Sequence, residues 1–192
     1  TGPSGYYVET DVINYNQGTW VEPDWNAADS GYFTGDALIP GVPGLLRADS
    51  TRTSDNGTDN IVAEILTVLD LQPGIYAFNF NSDDGFRTTV GNPSEWWTFP
   101  VVVGEFSGGR GNGAGLNDGT TYYFEITQAG LYPFRTLWYE GGGGANLEWS
   151  VRQFDPTTGL VTAGTLINDG TATGAIRAYQ YPITSAEATY VK

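Results

Sequence analysis

Two short runs concentrate oxygen donors where the chain turns. The first, Ser82-Asp83-Asp84-Gly85, lies between the aromatic run Gly74 to Asn81 and Phe86-Arg87-Thr88-Thr89-Val90. Adjacent carboxylates held roughly 4 Å apart repel by about 4 kcal/mol at an effective dielectric near 20, and a divalent cation between them reverses that sign. Asp-Gly between two strands is also a strong hairpin signal, so a solvated turn is the competing reading. The second run is Glu140-Gly141-Gly142-Gly143-Gly144-Ala145-Asn146. A phosphate cradle would need a helix N-terminus after the glycines, and here a β-rich run follows while Glu140 repels anions. Four glycines instead let a loop turn carbonyl oxygens inward, because residues without Cβ reach positive φ cheaply. They also suit a flexible hairpin tip.

The rest of the composition narrows the chemistry. The 192 residues contain no Cys, no His and no Met. Disulfides, thiolate or imidazole metal sites, Cys nucleophiles and Ser-His-Asp arrangements are therefore excluded. Metal ligands must be oxygens, which suits Ca²⁺ with its six to eight oxygen ligands. Eight basic against 22 acidic side chains give a net charge of −14, and Lys192 is the only lysine. Nucleic acid and an anionic membrane surface are rejected as partners, because there is no basic footprint to hold them.

Other residues offer weaker signals. Trp96, Trp97, Arg110, Asn112, Asn117 and Asp118 could supply the aromatic and amide contacts of a sugar site, although tryptophans here also serve packing. Asp55-Asn56-Gly57-Thr58-Asp59-Asn60 could hold a second ion but lacks EF-hand spacing, and Asn56-Gly57-Thr58 is a glycosylation sequon. Glu64, Glu125 and Glu148 could be imagined as a glycosidase acid pair. Isolated glutamates on alternating strands more simply face solvent, so a non-catalytic protein is expected.

The elements that must position these residues are strands. Helical periodicity is nearly absent, and short β-rich runs recur between Gly, Asn, Asp and Pro clusters. Strands are expected over Tyr6 to Val12, Ile61 to Leu69, Gly74 to Asn81, Phe86 to Val90, Phe99 to Phe106, Thr121 to Thr127, Leu131 to Tyr139, Leu147 to Phe154, Leu160 to Ile167 and Ala175 to Tyr179. Tyr76, Phe78 and Phe80 share one face, as do Leu147, Trp149 and Val151 against Glu148, Ser150 and Arg152, which predicts antiparallel sheets with one packed face. Segments 13 to 60 and 107 to 119 read as long polar, Gly-rich loops. The chain is expected to be one all-β domain over 1–192, an antiparallel β-sandwich of two packed sheets, jelly-roll-like. The missing Met and Cys and the acidic surface suit a module of a larger extracellular or cell-surface protein, monomeric by itself.

The strand Gly74 to Asn81 running into Ser82-Asp83-Asp84-Gly85-Phe86-Arg87, and Ala129-Gly130-Leu131-Tyr132-Pro133-Phe134-Arg135 leading to Trp138-Tyr139-Glu140 and the glycines, resemble the protective-antigen (PA-fourteen) β-sandwich family. The resemblance covers roughly residues 61 to 154, and the family is shared with yeast flocculins, bacterial adhesins and glycosidase insertions. In its lectin-like members two consecutive aspartates joined by a cis peptide bind calcium. A second loop adds a side-chain oxygen followed by backbone carbonyls, and the ion takes vicinal sugar hydroxyls. The resemblance therefore implies Ca²⁺ on Asp83 and Asp84, with Glu140 near the side-chain oxygen and Gly142 and Gly144 near the carbonyls. This sequence has Glu and glycines where the yeast members have an amide and bulkier residues. The expected function is calcium-dependent binding of a neutral glycan or a cell-surface or matrix polysaccharide, with Asp83, Asp84, Trp97, Arg110, Asn112 and Asn117 at the sugar. The alternative is an adhesin spacer domain with a purely stabilising ion.

Overall fold

The structure, a computed structural model, describes residues 9–16, 31–39, 60–91 and 100–181. Its strands are β1 (Asn14–Asn16), β2 (Ala37–Leu38), β3 (Ile61–Leu71), β4 (Gly74–Asp83), β5 (Gly85–Val90), β6 (Val101–Phe106), β7 (Thr120–Ile126), β8 (Gly130–Glu140), β9 (Asn146–Asp155), β10 (Leu160–Leu166) and β11 (Ala178–Gln180). One sheet runs β2-β1-β9-β4-β7, with β10 also on β9, and the other runs β11-β3-β8-β5-β6. Every pairing is antiparallel except β1 with β2. The all-β sandwich expected from the periodicity is the fold. Among the described residues no helix is long and apolar enough to cross a membrane.

The facing rows of the two sheets form the core. Phe78, Phe80, Leu147 and Trp149 from one sheet meet Leu69, Phe86, Phe134 and Trp138 from the other, all buried. Phe80 stacks on Phe86 across the interface with centroids 4.3 Å apart. Each such side chain removed from water contributes about 1.5–3 kcal/mol, so the alternation in β4, β8 and β9 fixes which face of each strand points inward.

Three expectations change. Of the expected strand Tyr6 to Val12, residues 9–12 are not strand and 6–8 lie outside the described residues; the first strand among the described residues is Asn14–Asn16. Tyr15 supplies its core contact, and Asn14 and Asn16 pair with Glu148 and Asn146 of β9. Second, part of the segment read as one loop contributes β2. Third, the polar row of β9 is not solvated. Glu148, Ser150 and Arg152 are buried because residues 31–36 and the 107–119 loop cover the outer face of that sheet, with Phe33 N–H donating to Glu148 and Asn81 clasping Gly113.

Candidate metal centre

The connections that matter are crossovers between sheets. β4 belongs to one sheet and β5 to the other, so Asp83-Asp84-Gly85 is where the chain passes between the layers. It is not a hairpin turn, because β5 pairs with β8 and β6 instead of β4. Residues 141–145 carry the chain back, from β8 in the second sheet to β9 in the first. The two runs singled out by their oxygen donors thus meet at one end of the sandwich.

Backbone contacts fix the aspartate pair from several sides. The Asp83-Asp84 peptide is cis, as the family resemblance implied. Trp138 Nε1 donates to Asp83 O at 2.9 Å, Asp84 N donates to Tyr139 O at 3.1 Å, and Ser82 Oγ donates to Asp84 O at 2.7 Å. The Asp84 carboxylate then ties three loops: Oδ1 accepts from Arg110 N at 2.8 Å and Oδ2 from Gly141 N at 2.9 Å. Each oxygen keeps a lone pair after one such bond.

Glu140, at the end of β8, is 1% exposed and completes a triad in which a carboxylate oxygen from each of Asp83, Asp84 and Glu140 lies within 4.8 Å of the others. Oxygens sharing one Ca²⁺ at about 2.3–2.6 Å can be no more than about 5 Å apart, so this spacing fits a common cation. Burial, Glu140 and Asp84 together push the Asp83 carboxyl up to about 8. Arg110 is the positive charge felt by both aspartates. The glycines leave room for the oxygens: a Cβ at Gly144 would stand 2.9 Å from Asp83 Oδ2, and one at Gly141 3.1 Å from Asp84 Oδ2. Gly143 takes φ 110°, which an L side chain rarely adopts. Gly142 is exposed and Gly144 half-buried.

Asn146 is a site residue that the sequence reading missed. It pairs with Asp83 in the β4–β9 register, shares its face, and is 7% exposed. Its Oδ1 is buried with no hydrogen-bond partner among the described residues. A buried amide oxygen without a donor is costly, so a cation is a physically suitable partner for it. The available signal was its place at the end of the glycine run, in the same row as Glu148. Three carboxylates and a buried side-chain amide oxygen form an all-oxygen donor set, and the residues present fit Ca²⁺.

The other expected sugar contacts fare differently. Arg110 is close to the aspartates, but its guanidinium donates to Ser82 O, Thr120 Oγ1, Phe80 O and Ser82 Oγ at 2.7–2.9 Å. Four of its five N–H donors thus brace the loop. Asn112 is half-buried and Asn117 exposed on the 107–119 loop, which Asp118 folds by accepting from Gly115 N. Trp96, Trp97 and the Asp55 to Asp59 loop lie outside the described residues. Glu64 pairs with Arg135 on the second sheet, whereas Glu125 and Glu148 stand on strands of the first.

No family model matches the sequence, and no curated protein matches it. Among solved structures the chain is similar to the PA14 sugar-binding domain from an RTX adhesin, with 24% identity over 58% of this chain and 56% of that chain at a TM-score of 0.41. It is also similar to the PA14 domain of the antifreeze protein MpAFP, with 19% identity over 61% of this chain and 50% of that chain at a TM-score of 0.38. The alignments thus span little more than half the length of either structure. Both are PA14 domains, the family that the stretches around Asp83 and Glu140 resemble.

Proposed function

We propose that this domain is a non-catalytic, calcium-dependent carbohydrate-binding module, working outside the cell or at its surface on a neutral glycan. The observation that carries this reading is the Asp83, Asp84 and Glu140 triad at the double crossover, its oxygens within 4.8 Å of one another. Asp83, Asp84, Glu140 and the Asn146 amide would hold the ion, with carbonyls of Gly142 and Gly144 completing the set. When bound, Ca²⁺ supplies coordination positions for two vicinal sugar hydroxyls. Asp84 arrives ordered, because each of its oxygens already accepts a backbone N–H. The glycines keep the mouth open, since no side chain projects from 141–144. Three carboxylates around a dication leave a formal −1, which favours holding the ion. Anionic glycans would face a protein of net charge −14, so a neutral sugar is the better substrate class. The dispersed glutamates offer no converging acid and nucleophile, which supports a binding role.

One observation favours a second reading. Asp84 spends both oxygens on pinning the 107–119 and 141–145 loops to the crossover, which is what a purely structural ion in a spacer domain would require. Calorimetric titration with calcium, followed by a glycan array with and without chelator, separates the two. Sugar binding abolished by chelation supports the module. Calcium binding with no glycan recognised supports the spacer, and glycan binding that survives full calcium removal overturns the proposed mechanism.

A further inference from the structure

We propose that Arg110 is the positioning residue of this calcium centre, holding Asp83 and Asp84 in ligating geometry through its own backbone N–H and its guanidinium fork; the inference rests on the calcium reading above. Arg110 sits in the loop between β6 and β7, flanked by Gly109 and Gly111. A Cβ at Gly109 would already be 3.4 Å from Asp84 Oδ1, so the loop lies directly on the carboxylate.

The side chain completes a sheet that has run out of strands. β4 pairs with β7 only as far as Phe80 opposite Thr120, yet β4 continues to Asp83. Along a strand, carbonyls two residues apart point the same way, so Phe80 O and Ser82 O both face the vacated edge. Arg110 fills it: Nη2 donates to Phe80 O at 2.9 Å, Nε donates to Ser82 O at 2.8 Å, and Nη1 donates to Thr120 Oγ1 at 2.7 Å. Nη2 also donates to Ser82 Oγ at 2.9 Å, and that hydroxyl donates onward to Asp84 O. The guanidinium lies 4.2 Å from the Phe106 centroid and 5.7 Å from that of Phe86, which fixes its plane. One residue thereby grips the aspartate pair at its carboxylate, at the carbonyls just before it and through Ser82. A planar, multi-donor fork is required; an ammonium has no such geometry.

Charge and position predict opposite signs, which makes the role testable. Arg110 is a cation beside a cation site, so as a mere neighbouring charge its removal would raise calcium affinity. As a positioning residue its removal lowers affinity, by about tenfold or more, as is usual for outer-shell partners of metal ligands. The experiment is a calorimetric calcium titration of wild type, Arg110→Met and Arg110→Lys, with melting in chelator recorded beside it. The expected result is weakened binding in both variants, more in Met than in Lys, which keeps the charge and loses the fork. Equal or tighter binding in Arg110→Met overturns the proposal, including the case where only melting in chelator falls, which is a structural role alone. If the Met variant does not fold, Arg110→Lys decides, and wild-type affinity there overturns it. A wild-type protein that binds no calcium removes the calcium reading itself, and this role with it.

Discussion

Two glutamates, Glu140 and Glu148, are each 1% exposed and sit only eight residues apart in sequence, yet their surroundings are opposites. Glu148 is answered by donors: Phe33 N at 2.7 Å, Asn81 Nδ2 at 2.9 Å and the nearby charge of Arg152. Burial pushes its carboxyl up, and those hydrogen bonds pull it back. Glu140 faces two more carboxylates, and the strain falls on Asp83. Even the glycines correspond, since a Cβ at Gly31 would strike the Glu148 carboxylate and one at Gly144 would meet that of Asp83. Depth of burial therefore does not tell the two acids apart. What differs is the company: backbone and amide donors and a guanidinium stand by Glu148, whereas two further carboxylates stand by Glu140.

Removing each answer should give different losses. The largest belongs to Glu148→Ala, which takes the acceptor from the Asn81 amide and the Phe33 N–H; each buried donor left unpaired costs about 1–3 kcal/mol, so a loss of about 3 kcal/mol is expected. Urea unfolding should show that loss equally in calcium and in chelator, and a loss seen only in calcium would merge the two regions into one site. Next comes the ion. At a calcium concentration about a hundredfold above its Kd, binding to the folded state adds about 2.7 kcal/mol, so chelation should lower the melting temperature by roughly 5–10 °C at this chain length. An unchanged melting curve would mean that the triad is not answered by calcium.

The same contrast explains what was legible in the sequence. Core faces of β4 and β9 could be read because parity is local: Phe78 and Phe80, or Leu147 and Trp149, need only alternate. Sheet membership could not, because Asp84-Gly85 carries the same turn signal whether the next strand pairs with β4 or, as here, with β8. The carboxylate-rich end was nonetheless visible as a pair of motifs, since both crossovers are short and made of the clustered residues themselves. The burial of Glu148 was hidden because its cover comes from residues 31–36 and 107–119, whose glycines and polar residues have no periodicity. The bracing by Arg110 was hidden for a similar reason, as only three-dimensional register shows that β7 ends at Thr120 and leaves carbonyls for it to take.

A smaller effect of opposite sign is expected from Glu140→Gln. Measured at about pH 9, above the value of about 8 to which the Asp83 carboxyl is pushed, so that all three groups are charged, removal of one of them should raise stability in chelator by about 1 kcal/mol while abolishing most of the calcium-induced gain. Denaturation with and without calcium measures both, and a destabilised metal-free protein would place Glu140 in the same class as Glu148.

The smallest effect on the fold, and the sharpest on the site, belongs to Gly144→Ala. Its Cβ would sit 2.9 Å from Asp83 Oδ2, the end of a side chain, so a shift of a few tenths of an ångström relieves the contact. Stability in chelator should stay within about 0.5 kcal/mol of wild type. Calcium affinity should nevertheless fall by roughly three- to tenfold, because the displaced oxygen is one the cation must share with Glu140 and Asp84. If calorimetry shows wild-type affinity in this variant, Asp83 does not ligate through the oxygen that faces Gly144, and the cation must be held by the other side of the triad.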